Sequence, residues 1–123
     1  MMQHALAIND FAADVHQRNI IAGWWTNLET GERIERNVGE LLCLVHSEIS
    51  EAMEGHRKSL MDDKLPDRPM IEVELADAMI RIGDIAAALG LDLGGAIDAK
   101  LAYNATREDH KLEVRRLAGG KAY

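Results

Sequence analysis

The only two prolines of this chain, Pro66 and Pro69, stand three residues apart in MDDKLPDRP (Met61 to Pro69), and long proline-free, apolar-rich segments run on either side. Proline removes a backbone donor and fixes φ, so this stretch carries the chemistry of a turn between two long elements. The apolar alternation of a strand is nowhere sustained, and the spacing instead predicts an almost wholly helical chain. With 123 residues, one all-α domain with a single core is expected.

Four helices follow from the pattern. Helix 1 is predicted over about Met2 to Trp25, with Leu6, Phe11 or Ala12, Val15, Ile20 and Ile21 near one face. The segment Thr26 to Arg36 lacks a period, contains Gly31 and reads as a mobile loop. Asn37 with Glu40 three residues on resembles a capping box, opening a helix that runs to about Ser59. Pro69 suits the first position of helix 3, which extends to about Leu89 on a stripe too broad for a lone amphipathic helix, so it should be central. Gly90 can end it in a left-handed cap, and Asp92 can cap helix 4, predicted to continue past Arg107 to Gly119 and Gly120. Gly94 and Gly95 in its first turn cost about 1 kcal/mol each relative to Ala in a helix interior, and close packing would explain them.

Onto this frame fall two carboxylate pairs, Glu48-Ile-Ser-Glu51 and Glu74-Leu-Ala-Asp77. At i, i+3 each pair projects from one helical face. Folding helices 2 and 3 into an antiparallel hairpin sets Glu48 against Asp77 and Glu51 against Glu74, so four acids converge. Like charges in a partly dry crevice repel, and a hard divalent cation such as Mg²⁺ or Mn²⁺ would relieve them. An isolated acidic pair is ordinary helix surface; the matching register is what points to a metal site.

On helix 4, Lys100, Asn104 and Arg107 fall at i, i+4, i+7, a stripe suited to anionic oxygen. Pairing with Asp98, Glu108 or the acidic cluster is the plainer alternative. Trp24 and Trp25 are adjacent and point about 100° apart, so one can be core while the other is free to stack on a base. Asp84 lies one heptad after Asp77 and can orient the site from behind the metal ligands, or pair with Arg81.

Charge and cysteine content narrow the class. Lys plus Arg is 14 and Asp plus Glu is 21, a net −7 that argues against non-specific binding to nucleic acid or anionic membrane. Cys43 is the only cysteine, which excludes an internal disulfide and gives no support to a thiolate zinc site or a secreted disulfide scaffold. No leader pattern or membrane-length apolar run is present, so a soluble protein of the reduced cytoplasm is expected. No Glu precedes a His by three residues as di-iron bundles require, and no nucleophile elbow or Walker loop occurs.

Taken together, Glu48-x-x-Glu51, Glu74-x-x-Asp77 and Lys100-Leu-Ala-Tyr-Asn104-Ala-Thr-Arg107, with LVHSEISEAMEGHRK from Leu44 and IEVELADAMIRIGDIAAALGLDL from Ile71, resemble the MazG-like nucleotide pyrophosphohydrolases of the all-α NTP pyrophosphatase superfamily. The similarity spans about Glu40 to Arg107. It implies a Mg²⁺-dependent enzyme that cleaves a nucleoside triphosphate between the α- and β-phosphates, clearing aberrant or surplus nucleotides, and working as a homodimer or dimer of dimers. It implies Glu48, Glu51, Glu74 and Asp77 as metal ligands, with Glu48 or Glu51 as the base that activates water. Lys100, Asn104 and Arg107 would contact phosphate or sugar; the N-terminal third, with Trp24 and Trp25, lies outside the similarity and is where base recognition is expected. Where similar chains end Arg-x-x-x-His-Gly-Gly-Lys, here an extra charged segment separates Arg107 and His110 from Gly119-Gly120-Lys121. Two rivals stand beside this expectation: a phosphoribosyl-ATP pyrophosphohydrolase, and a non-catalytic helical module that binds a cation or a basic partner.

Overall fold

The computed structural model describes residues 3–123, and the regular structure of the described residues is all helix, with no strand beyond isolated bridges at Thr26 with Arg33 and Met61 with Pro69. Its elements are α1 (Ala5–Ile21), α2 (Val38–Lys58), α3 (Met70–Ala88) and α4 (Leu93–Thr106), then a 3₁₀ turn Glu108–His110 and a short α5 (Leu112–Arg115). None of these helices is long and apolar enough to cross a membrane. The chain divides into two compact units. One is Asp10–Leu91; the other joins the described residues up to Asn9 with Asp92–Tyr123.

In the first unit α2 and α3 pack against one another, and side-chain contacts fix the register. A Cβ on Gly55 would stand 2.8 Å from Cβ and Cγ of Met70, so glycine lets the two backbones close up where the turn ends. Further along, Arg81 reaches Glu48. Both contacts belong to an antiparallel pair; Gly55 against Met70 keeps the predicted register, and Arg81 reaches Glu48 from one helical turn beyond Asp77. The turn itself is held by Asp62, whose buried carboxylate accepts from the Lys64 and Leu65 amides at 3.0 and 2.8 Å.

Helix ends are set by local chemistry. The Asn37 side chain accepts from the Glu40 amide at 2.9 Å, as its spacing implied. α1 stops at Ile21 rather than Trp25, because Gly23 adopts φ 89° and the Gly23 and Trp24 amides turn back to the Ile20 and Asn19 carbonyls. The same closure recurs at Gly90, with φ 67°, and at Ser59, a non-glycine residue at φ 51°. Pro69 is the N-cap of α3, one position earlier than expected. Thr26 to Arg36 is a hydrogen-bonded turn: the Asn27 amide donates to the Glu32 carbonyl at 2.8 Å and the Ile34 amide to Trp25 at 3.0 Å.

The buried apolar centre of this unit is small: Trp25, Leu41 and Ile85, with Ile20, Val45 and Ala88 against them. α1 joins α3 at Gly83, where a Cβ would lie 2.9 Å from Val15 Cγ2 and 3.3 Å from Ala12 Cα. Leu42, Ile49 and Met53 on α2, and Leu75 and Met79 on α3, remain about half exposed.

In the second unit the starts of α1 and α4 cap each other. The buried Asp98 carboxylate accepts from the His4 amide at 2.9 and 3.0 Å and from the Ala5 amide at 2.9 Å, satisfying donors that a helix start leaves open. Asn9 accepts from the Gly94 amide at 2.8 Å, and Asp92 from the Gly95 amide at 2.9 Å. A Cβ on Gly94 would lie 2.7 Å from Ala5 Cα, so close backbone approach accounts for that glycine. α4 ends at Thr106 instead of running to Gly119. Arg107 is extended, with ψ 134°, and its guanidinium grips both carboxylate oxygens of Asp109 at 3.0 and 2.7 Å.

Candidate metal centre and adjoining cavity

α2 and α3 each carry a buried acid on the face they share. Glu48 is 8 % exposed and Glu74 7 %, and one carboxylate oxygen from each lies within 4.8 Å of the other and of one from the half-buried Asp77. These are the residues the i, i+3 spacing picks out. Gly55 and Ala52 on α2, and Ala78 on α3, are buried small residues that let the helices approach and hold the acids between them. Glu51 is exposed and outside this tight group. It is nevertheless near, because its charge acts on Glu74.

Burial and like charge leave this group short of hydrogen bonds. Oε2 of Glu48 and Oε2 of Glu74 are buried without a partner, although buried polar atoms are normally paired. Burial pushes the Glu74 carboxyl up to about 8, helped by the adjoining Glu48 carboxylate and by the charge of Glu51. Asp77 is raised by burial and by the Glu48 charge, against the opposing pull of Arg81. One proton on Glu74 can be shared with Glu48; with both ionised, neither orphaned oxygen has a donor.

A hard divalent cation fits this set. The donors are all carboxylate oxygens, which suit a hard cation, and two of them are unpartnered. Glu48, Glu74 and Asp77 would hold it, with Glu51 at the rim.

The acids border a cavity of about 440 Å³ within the same unit. Glu48, Asp77 and Arg81 form one stretch of its wall, while Asn19, Trp24 and Arg36 contribute elsewhere. Trp24 is 63 % exposed, whereas Trp25 is 5 % exposed and core. The paired tryptophans therefore divide as their 100° separation implied, and Trp25 is closed to a stacking partner. Its indole donates to Asp84 at 3.1 and 3.2 Å, and His16 Nδ1 meets the same carboxylate at 2.7 Å. Asp84 thus anchors the start of the 22–36 segment to α3. Arg81 does not pair with it: the Arg81 Nε donates to Glu48 Oε1 at 2.9 Å.

Lys100, Asn104 and Arg107 belong to the second unit, on α4 and its C-cap. Lys100 Nζ lies 4.9 Å from the Tyr103 ring centre, and the Arg107 guanidinium 5.8 Å from the same ring. Arg107 also donates to Asn104 Oδ1 at 3.4 Å, so the stripe exists, with its arginine partly occupied by Asp109. The extra charged segment folds back on itself. Arg115 donates to the Lys121 and Ala122 carbonyls at 2.9 and 2.8 Å, and Lys121 Nζ comes to 3.6 Å from Asp109. His110, Arg115 and Lys121 then share the wall of a second, smaller cavity of about 190 Å³.

Sequence reasoning missed Arg81, Asn19 and Arg36 as wall residues, because no spacing links them. A cation one helical turn beyond Asp77 was the available signal for Arg81. No protein-family model, curated protein or solved structure matches the chain.

Proposed function

We propose that the chain is a divalent-cation-dependent nucleoside triphosphate pyrophosphohydrolase that cleaves the α–β phosphate bond to give a nucleoside monophosphate and pyrophosphate. The observation that carries this reading is the pair of orphaned, buried carboxylate oxygens on Glu48 and Glu74, beside Asp77 and at the edge of a cavity. Unpartnered buried acids cost stability, and a bound cation offsets that cost. The resemblance in the sequence motifs supplies the reaction class.

Mg²⁺, or Mn²⁺ in its place, would screen the triphosphate charge and favour an ionised attacking water. The chain's own groups do the rest. Glu48, Glu74 and Asp77 present oxygen donors from two packed helices, so their geometry is fixed before substrate arrives. Glu51, exposed at the rim, takes the proton of the attacking water, with Glu48 the other candidate for that role. Trp24 offers an exposed face to the base. Lys100, Asn104 and Arg107 form a stripe on α4 and its C-cap whose chemistry suits phosphate or sugar oxygen. The half-exposed Leu42, Ile49, Met53, Leu75 and Met79 supply an apolar face for a second copy, making the working form a homodimer or a dimer of dimers.

The deciding experiment incubates the protein with Mg²⁺ and a panel of standard and modified nucleoside triphosphates, with phosphoribosyl-ATP beside them, and measures pyrophosphate against orthophosphate. Pyrophosphate released with a nucleoside triphosphate supports the proposal and names the base. Turnover of phosphoribosyl-ATP alone moves the activity to the rival pyrophosphohydrolase. Nucleotide or cation binding with no pyrophosphate released by any substrate overturns the enzymatic reading.

A further inference from the structure

The guanidinium groups of Arg36 and Arg81 line the same cavity as Glu48 and Asp77. Arg81 donates to Glu48 through Nε; among the described residues its two terminal nitrogens make no hydrogen bond. Its side chain is 39 % exposed, against 10 % for Glu48, so one edge is anchored and the other is open to the cavity. Arg36 is half-buried on the cavity wall and likewise has no hydrogen-bond or ion-pair partner among the described residues. Its guanidinium stands 5.3 Å from the Trp25 ring centre, an aromatic support that Arg33 shares at 5.8 Å. A half-buried arginine with no carboxylate is an unfilled demand for an anion, and a planar guanidinium meets phosphate through two parallel N–H bonds.

We infer that Arg36 and Arg81 form an anion site on the cavity wall that receives the phosphate chain of the ligand, with Arg81 joining it to the acids through Glu48. This inference rests on the proposed function for the identity of the anion as a di- or triphosphate, and it assigns phosphate recognition to the unit that holds the acids. Arg81 serves two sides at once. Nε holds Glu48 Oε1, which leaves Glu48 Oε2 for the acid group, while the free edge meets the phosphate. Its charge also opposes that of an incoming cation until the phosphate neutralises it, so the two ligands favour one another.

The test uses tripolyphosphate, which has neither base nor sugar, in calorimetric titrations with Mg²⁺ present, and Mn²⁺ alone followed by paramagnetic resonance. The variants are Arg81→Gln, Arg81→Lys and Arg36→Gln in the full chain. Arg81→Gln is expected to weaken tripolyphosphate binding about 10-fold or more and Arg36→Gln about 5-fold, the loss of a charge-assisted pair. Arg81→Lys should recover only part, because the fork is gone. Mn²⁺ affinity without anion should hold or tighten in Arg81→Gln, an opposite sign that a misfolded variant would not give. Tripolyphosphate affinities within about 2-fold of wild type in both Gln variants overturn the inference, as does a parallel fall of Mn²⁺ and tripolyphosphate binding in Arg81→Gln. If wild type takes up no Mn²⁺ yet its tripolyphosphate binding still depends on both arginines, the anion site stands and the cation reading falls.

Discussion

Asp98 and Glu74 are both buried helical acids, 8 % and 7 % exposed, yet their surroundings are opposite. Asp98 has backbone amides of His4 and Ala5 on its oxygens and closes the start of α1. Glu74 has a buried oxygen with no partner and other acids for neighbours, and its carboxyl is pushed up to about 8. Burial alone therefore does not mark a functional acid. A satisfied carboxylate serves the fold; an unsatisfied one among its own kind costs stability and needs a guest.

The largest effect expected from this contrast is on turnover. Asp77→Asn or Glu74→Gln should lower Mg²⁺-dependent pyrophosphate release by about 100-fold or more, the scale of losing a principal electrostatic contact to the reacting group. Unchanged turnover in either variant would remove that residue from the site. Next in size, Asp98→Asn should cost about 2 kcal/mol in urea unfolding, since amide replaces ion at charge-assisted bonds and turns an –NH₂ toward backbone donors. Glu74→Gln should move the other way, stabilising the metal-free protein at pH 8 by about 1 kcal/mol by removing an unpaired charge. If both substitutions destabilise equally, the contrast between the two acids fails.

The pH dependence sharpens the same point. The folded protein holds the Glu74 proton up to about 8, whereas the unfolded chain releases it near the ordinary value of 4.5. Between those values the native state binds the extra proton, so stability falls as pH rises through the window, and the cost is complete above 8. Asp77, raised in the same sense, adds to it. Thermal unfolding in chelator should thus show Tm decreasing from pH 5 to pH 8, with saturating Mg²⁺ flattening the slope. A flat profile in chelator would break the account. The smallest effect belongs to exposed acids: Glu72→Ala, which loses only the surface pair with Arg68, should change stability by less than about 0.5 kcal/mol.

Much of α2 and α3 was legible because each needed only local rules. The Asn37 cap, the Gly90 stop and the Asp92 cap are interactions across a few residues, and the turn chemistry between α2 and α3 is concentrated in Met61 to Pro69. Packing of α2 on α3 brings Glu48, Glu74 and Asp77 together, while Glu51, expected among them, stays exposed and outside the close group. What spacing did not reveal are long-range partners: Asp84 finds His16 and Trp25 68 and 59 residues away, and Asp98 finds the Ala5 amide 93 residues away. Arg107 was misread for a different reason. Its helical periodicity continues, yet the ion pair to Asp109 and the extended backbone there stop α4 one residue earlier. The end of α1 was readable in principle, since Gly23 is the residue that turns the chain back before the tryptophans.

Because the donors at the head of α1 are answered by a side chain on α4, the first helix emerges from the ribosome long before its cap exists. At about 5–20 residues per second, Asp98 follows Ala5 by roughly 5–20 s. Through that interval the nascent amino-terminal turn must stay hydrated or frayed, and it locks only when the carboxyl-terminal third of the chain has been made. A released chain truncated before residue 98 should therefore leave the backbone amides of His4 and Ala5 fast in hydrogen exchange, while the packed α2 and α3 are protected.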